Sequence, residues 1–201
     1  ENTPRISEFK TVTSQSELMF LKSQLNPHFL FNVLNNANIL IDEEPDTASR
    51  ILMKLDELIT YQMKDSTRDK VYLHADINFL NDYLELEKTR SNRFSYTIEA
   101  APDVNNLEVY PLLFIPFVEN AVKHSLSAKG ESIINIVFTR EQDYLYFRCE
   151  NTIPSVPVKH KSGGLGLNNI KRRLDLLYGS TYTLNITEQE NKYIVELWLK
   201  I

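Results

Sequence analysis

Four side chains in one short segment are of types that do chemistry together. In "FVENAVKH" (117–124), Glu119, Asn120, Lys123 and His124 interrupt an otherwise apolar run of Phe117, Val118, Ala121 and Val122. At helical spacing Asn120, Lys123 and His124 share one face. An amide oxygen is a hard donor that suits Mg2+, and a neighbouring cation suits a phosphate. A solvated polar face is the plainer alternative, but the apolar remainder of the helix gives the polar group a definite direction. His124 taken alone is more often structural.

A second segment is built for close approach. Of five glycines, three fall within four residues, Gly163, Gly164 and Gly166 in "SGGLGLNNI". Glycine permits positive φ and lets a ligand near the backbone. The loop runs into a helix start, where free N–H groups and the dipole favour an anion. The spacing is neither a Walker A loop nor a dinucleotide fingerprint, so a flexible loop before an ordinary helix stays open as a reading.

The third segment is "SQLNPHFLFNVLNN" (23–36), where Pro27 and His28 stand inside an amphipathic helical pattern. Proline lacks an N–H, so the carbonyl of Ser23 loses its helix partner and the turn before His28 is expected to loosen into a kink. An imidazole there could protrude and reach a group bound elsewhere. The bland reading is a kinked core helix with a buried, satisfied histidine.

These segments need elements to hold them. The chain has 201 residues, a net charge of −5 and a pI near 5.5, and it shows no basic stripe, so direct nucleic-acid binding is not expected. Cys149 is the only cysteine, which excludes a disulfide framework and fits a reducing compartment. No apolar run is long enough to span a bilayer. The first residue is Glu1, so the sequence is expected to be a piece of a longer protein, with any membrane attachment through a preceding region.

Apolar spacing predicts a helix from Ser14 to Leu40, with one line through Leu18, Leu21, Leu25, Phe29 and Asn36 or Ile39 and another through Leu30, Leu34, Ala37 and Ile41. "DEEPD" breaks it. A second helix follows through Ala48, Ile51, Leu52, Leu55, Leu58 and Ile59, with Asp46 or Thr47 as N-cap. One hairpin cannot cover both lines, so a dimeric four-helix bundle is the expected completion. A third helix is expected over 74–90. Beyond it the pattern changes to strand 94–100, helix 110–126 beginning near Pro111, strands 132–139 and 143–151, helix 165–179 and a closing hairpin, 181–189 with 192–200. Helices covering one face of a mixed sheet make the second half an α/β sandwich and the whole chain α+β. The expected division is 1–92, a helical dimerisation and phosphotransfer region, and 93–201, a catalytic domain.

"QLNPHFLFNVLN", "PFVENAVKHSL" and "GGLGLNNIKRRLDLLYG" occur in that order, with "LHADINFLNDYLELEKTRSNRF" between the first two. Together, over about residues 15–200, they resemble the LytS/YehU-type sensor histidine kinases, whose catalytic half is a GHKL (Bergerat) ATP-binding domain. The resemblance implies that His28 accepts the γ-phosphoryl group of ATP. It implies that Asn120 holds Mg2+ and the triphosphate, that Glu119 orients the reaction beside the metal, and that Lys123 and His124 contact phosphates. Gly163, Gly164 and Gly166 would let the lid loop lie over the nucleotide, with Leu167 and Asn169 in the binding segment. Asn169 and Arg173 match an Asn-x-x-x-Arg segment in which Arg173 is structural.

Three departures qualify the match. Phe29 follows His28 where many histidine kinases carry an acid, so polarisation of His28 is expected from elsewhere, with Asn32 one turn on as the candidate. The family's adenine-recognising Asp-Asn-Gly is replaced by Glu150-Asn151-Thr152, and the Gly-Thr before the final strand is missing from "EQENKYIVELW". Glu150 takes the aligning position, while Asn151 points to the opposite sheet face and supplies base recognition if Glu150 faces solvent. The expected function is the cytoplasmic kinase core of a membrane-anchored two-component sensor. Its expected partners are a second copy of the chain and a response-regulator receiver domain, which in this family often carries a LytTR DNA-binding domain. A non-catalytic nucleotide-sensing dimer and a GHKL ATPase are the rival readings.

Overall fold

The computed structural model describes residues 27–91, 93–127, 131–153, 164–189 and 191–201. The expectation of a helix from Ser14 with a kink at Pro27 falls mostly outside them. Helices α1 (Pro27–Leu40) and α2 (Pro45–Lys64) form the expected hairpin. Helix α1 buries Phe29, Val33 and Ala37, and Phe29 packs on Tyr83 with ring centroids 5.0 Å apart. The inner line therefore runs 29, 33, 37: Val33 joins it, and Ala37 belongs to it rather than to the line of Leu34 and Ile41. Those two stay exposed with Phe31 and Ile39.

Helix α2 starts earlier than its expected cap. Pro45 takes the first helical position and Glu44 the N-cap, with no side-chain cap bond, so Asp46 lies inside the first turn. Proline's fixed φ suits that position, where its missing N–H costs nothing, and this outweighs the capping preference of Asp or Thr.

Helix α3 (Leu73–Arg90) is buried on several sides, through Leu73, Asp76, Phe79, Leu80, Tyr83, Leu84, Leu86 and Glu87. On one side Lys54 of α2 bridges to Asp82 at 3.0 Å and Glu85 at 2.7 Å. Beside them the Tyr96 hydroxyl of the sheet donates to Asn81 Oδ1 at 3.1 Å, and Asn81 Nδ2 donates to Glu85 at 3.2 Å. The apolar core runs without a break from Phe29 through α3 into the second half of the chain.

Two short strands absent from the sequence reading, β1 (Val71–Tyr72) and β3 (Glu108–Val109), pair antiparallel beside the start of α3. Two-residue strands carry no readable periodicity. The main sheet has β2 (Phe94–Ala100), β4 (Ser132–Glu141), β5 (Tyr144–Thr152), β6 (Tyr182–Gln189) and β7 (Lys192–Lys200) in the order β2-β4-β5-β7-β6. The β2–β4 pair is parallel and the others antiparallel, so the sheet is mixed as expected. Helices α4 (Ile115–Ser127) and α5 (Gly164–Tyr178) supply Phe117, Val118, Ile170 and Leu174 to the core shared with Ile134, Phe138, Phe147 and Leu197. Phe114 meets Phe138 edge-on at 5.0 Å and Phe147 at 4.8 Å.

Helix α4 begins at Ile115, four residues later than Pro111. Pro116 explains part of this: in a helix from Pro111 it would sit in the interior, clashing with the carbonyl of Leu112. Starting at Ile115 puts it in the first turn. The rest is tertiary. Leu112 has φ of 57°, a conformation worth about 1–3 kcal/mol of strain in a branched residue. It is held there by buried partners described below.

Candidate functional site

Helix α4 presents Glu119 and Asn120 at half-buried positions, Lys123 exposed and His124 half-buried. The polar face is therefore real. Its C-terminal part is fastened to the sheet by Ser132 Oγ, which donates to Ser125 Oγ at 2.9 Å. His124 stacks on Tyr193 of β7, centroids 5.7 Å apart and ring planes 23° from parallel. Tyr193 is the cross-strand partner of Asn151. The structure thus groups His124, Tyr193 and Asn151 over the inward face of the sheet. Tyr193 went unnoticed in the sequence; its only signal there is an aromatic residue at an inward position near a strand start.

Strand parity separates Glu150 from Asn151. Inward positions of β5 are Leu145, Phe147, Cys149 and Asn151. Asn151 is 1% exposed; its Nδ2 donates to the carbonyl of Thr152 at 3.1 Å, and its Oδ1 has no protein partner among the described residues. A buried, unpaired carbonyl oxygen is costly unless something donates to it. Glu150 points to the outer face, its carboxylate held by Arg148 and Lys192, each at 2.6 Å. Both of its oxygens are engaged away from the helices.

Burial, and then the charge of Glu87, push the Glu119 carboxyl up to about 7. Glu87 lies on α3, 5% exposed, salt-bridged to Arg90 at 2.6 Å and accepting from the Tyr83 hydroxyl at 3.4 Å. Since Tyr83 also packs on Phe29, the residue after His28, a buried line connects the hairpin to the helix of Asn120. Nothing in the periodicity of α3 marks Glu87 as more than a surface charge.

His28 is exposed at the start of α1, and Nδ2 of Asn32 lies 3.1 Å from its Nδ1. Asn32 is thus placed as the sequence suggested. Phe29, by contrast, is committed to the core. Of the glycine segment, Gly163 lies outside the described residues, and Gly164 and Gly166 fall in the first turn of α5. Leu167 is half-buried and Asn169 exposed on that helix. Arg173 is buried and structural, as its segment implied: it donates to the carbonyls of Leu112, at 2.5 Å, and Pro111. Among the described residues no cluster of three or more His, Cys, Asp or Glu is arranged to hold a metal.

A histidine kinase family model matches residues 16–94, the stretch that contains His28, the hairpin and α3. The sensor histidine kinase BtsS of Escherichia coli K12 is 28% identical over 186 residues, covering 92% of this chain and 33% of that protein. The sensor protein LytS of Oceanobacillus iheyensis is 27% identical, covering 96% of this chain and 36% of its own length. Over nearly its whole length the chain is similar to LytS-type sensor histidine kinases. It spans about a third of the length of these relatives. The fold agrees. The histidine kinase domain of a blue-light activated kinase from Erythrobacter litoralis superposes with a TM-score of 0.52 at 14% identity, covering 95% of this chain and 94% of the other. The catalytic domain of the histidine kinase ThkA gives 0.51 at 19%, covering 65% and 95%. The α+β architecture with its mixed five-stranded sheet is shared with histidine kinase catalytic domains. Among the described residues no helix is long and apolar enough to cross a membrane.

Proposed function

We propose that the chain is the kinase core of a two-component sensor, which binds Mg·ATP in its second half, phosphorylates His28 and passes the phosphoryl group to an aspartate of a response-regulator receiver domain. The observation that carries this reading is the buried Oδ1 of Asn151, without a partner among the described residues, on the strand position opposite Tyr193, which stacks on His124, in a chain that also exposes His28 on the helical hairpin. An acceptor fixed in an apolar wall suits the amino group of adenine. Asn120 offers one hard oxygen, which fits Mg2+ held mainly by triphosphate oxygens. When bound, the ion draws charge from the phosphates; the rest is positioning. Lys123 and His124, on the polar face of the same helix as Asn120, would contact the phosphates.

In the transfer a ring nitrogen of His28 forms the P–N bond as the bond from the γ-phosphorus to the bridging oxygen breaks. ADP leaves with that electron pair. Asn32, whose Nδ2 lies 3.1 Å from Nδ1, orients the ring. Glu119 steers the phosphates by its charge. Residues 1–92 supply the acceptor and 93–201 the nucleotide site. A second copy is the fitting cover for Phe31 and Ile39, which are 67% and 72% exposed, together with Leu34, Met53 and Met63. A cytoplasmic core joined to a membrane segment outside this sequence, and a LytTR-type regulator, complete the reading.

Burial of Phe29 favours one rival, since it leaves no acid directly beside His28 and suits a nucleotide-sensing dimer without transfer. Incubation with γ-32P-labelled ATP and Mg2+, followed by mapping, decides. Acid-labile label on His28 supports the kinase. Nucleotide binding without label supports the sensor, and label at another residue removes His28 from its role.

A further inference from the structure

One buried polar cluster has no part in the chemistry above. Asp76 on α3 is fully buried. Its Oδ1 accepts from the Tyr61 hydroxyl of α2 at 2.9 Å and from the backbone N–H of Leu112 at 2.9 Å. Arg173 on α5 closes the other side of the same residue, donating to the carbonyls of Leu112 and Pro111. Leu112 is thus gripped at both its N–H and its carbonyl, by an acid from one half of the chain and a cation from the helix that leaves the glycine segment. It is also the residue with positive φ, three positions before α4.

The surroundings add to the grip. The N–H groups of Leu73 and His74, at the start of α3, donate to the carbonyls of Leu107 and Asn105 at 2.8 and 3.2 Å. Tyr110 meets Tyr178 of α5 edge-on at 5.4 Å, and the Lys70 ammonium lies 5.5 Å from the Tyr110 ring centroid. Burial pushes Asp76 up to about 6, against the pull of the Leu112 N–H, Tyr61 and the Arg173 charge. A buried acid and cation are poor devices for stability alone, because desolvation offsets much of their attraction. They do fix geometry. A shift of Leu112 would remove the backbone donor of Asp76 and a carbonyl acceptor of Arg173.

We infer that Asp76 and Arg173 are positioning residues, which set the backbone of Leu112 and so the placement of the α4 helix with Glu119 and Asn120, and that Tyr61 registers this placement against the hairpin bearing His28. The catalytic consequence rests on the kinase reading above. Placement of α4 controls how nucleotide is held; the Tyr61 contact controls whether the hairpin meets it. The two are separable by substitution. Tyr61→Phe removes one hydroxyl and leaves the ring. Arg173→Lys keeps the charge but cannot span two carbonyls.

The test uses the whole chain and four readouts: melting temperature, affinity for Mg·ATP, rate of labelling from γ-32P ATP at saturation, and amide hydrogen exchange over 111–118. Tyr61→Phe is expected to slow labelling roughly fivefold, the rate equivalent of one lost hydrogen bond, with nucleotide affinity unchanged. Arg173→Lys is expected to weaken affinity and to speed exchange over 111–118 while exchange in β4 and β5 stays as in wild type. Wild-type labelling in Tyr61→Phe, or unchanged exchange in Arg173→Lys, overturns the inference. So does a uniform fall in melting temperature with affinity and labelling rate intact. If wild type takes no label at all, the kinase reading fails by itself, and exchange with nucleotide affinity still decides the role of Asp76 and Arg173.

Discussion

Asn32 stands one helical turn beyond His28, and its Nδ2 lies 3.1 Å from the ring's Nδ1. In that orientation the ring carries its proton on Nε2. Turning the amide by half a turn instead presents Oδ1 to an Nδ1–H and favours the tautomer protonated there, with the lone pair on Nε2. In the proposed transfer Asn32 would set the ring's tautomer, a task usually given to an acid.

Asn32→Ala should therefore slow labelling of His28 by up to about tenfold, the cost of one orienting hydrogen bond, with nucleotide affinity unchanged. Asn32→Asp, a permanent acceptor, should label at least as fast as wild type. His28→Gln should take no label and bind nucleotide normally. Quench-flow labelling with a fluorescent-nucleotide titration checks all three. Equal rates in wild type and Asn32→Ala would remove Asn32 from the reaction.

Glu119 carries a pH signature. Its carboxyl is pushed from an ordinary 4.5 up to about 7, first by burial and then by Glu87. Between those values the folded chain holds a proton that the unfolded chain has released, so this group's contribution to stability falls as pH rises through the window. Glu119→Gln should match the wild-type melting temperature near pH 4.5 and exceed it at pH 8. If ionised Glu119 steers the phosphates, wild-type labelling should rise through about pH 7, and Glu119→Gln should flatten that limb. Glu87→Gln should move it to lower pH. Scanning calorimetry and rate profiles across pH read both effects.

Base choice should depend on Asn151 and not on Glu150. Asn151 turns an unpaired oxygen inward, while Glu150 is tied to Arg148 and Lys192 on the other face. Asn151→Ala should cost ATP roughly tenfold in affinity, about the value of one hydrogen bond with its desolvated partner. Glu150→Gln should leave ATP affinity and the ATP-over-GTP ratio where they are. Competition titrations with ATP and GTP settle the matter; a preference that vanishes in Glu150→Gln alone would reverse the assignment.

The exposed apolar face of the hairpin should close on a second copy. Leu34→Glu and Phe31→Glu place a charge on it and should shift the chain from dimer to monomer in light scattering at micromolar concentration. Asp56→Lys, on an exposed polar position of α2, should not. A wild-type monomer at high micromolar concentration would contradict the proposed pairing.

By itself the sequence determined the parts. Period-four apolar lines mark α1 to α3, alternation marks the long strands, and glycine and proline mark the breaks, because all of these are set by neighbours within one or two turns of chain. The three chemical segments were legible for the same reason: each is a short run whose spacing is its meaning. Tertiary structure alone decided the rest. Whether Glu150 or Asn151 faces inward depends on which strand parity the sheet buries, and that is fixed by Ile134 and Tyr193 on neighbouring strands. The start of α4 was shifted because Asp76 and Arg173, 36 and 61 residues away along the chain, hold Leu112 in a conformation that its own side chain disfavours. Such contacts leave no local trace: a buried acid on α3 and a cation on α5 read as ordinary helix-surface charges until the fold removes the water around them.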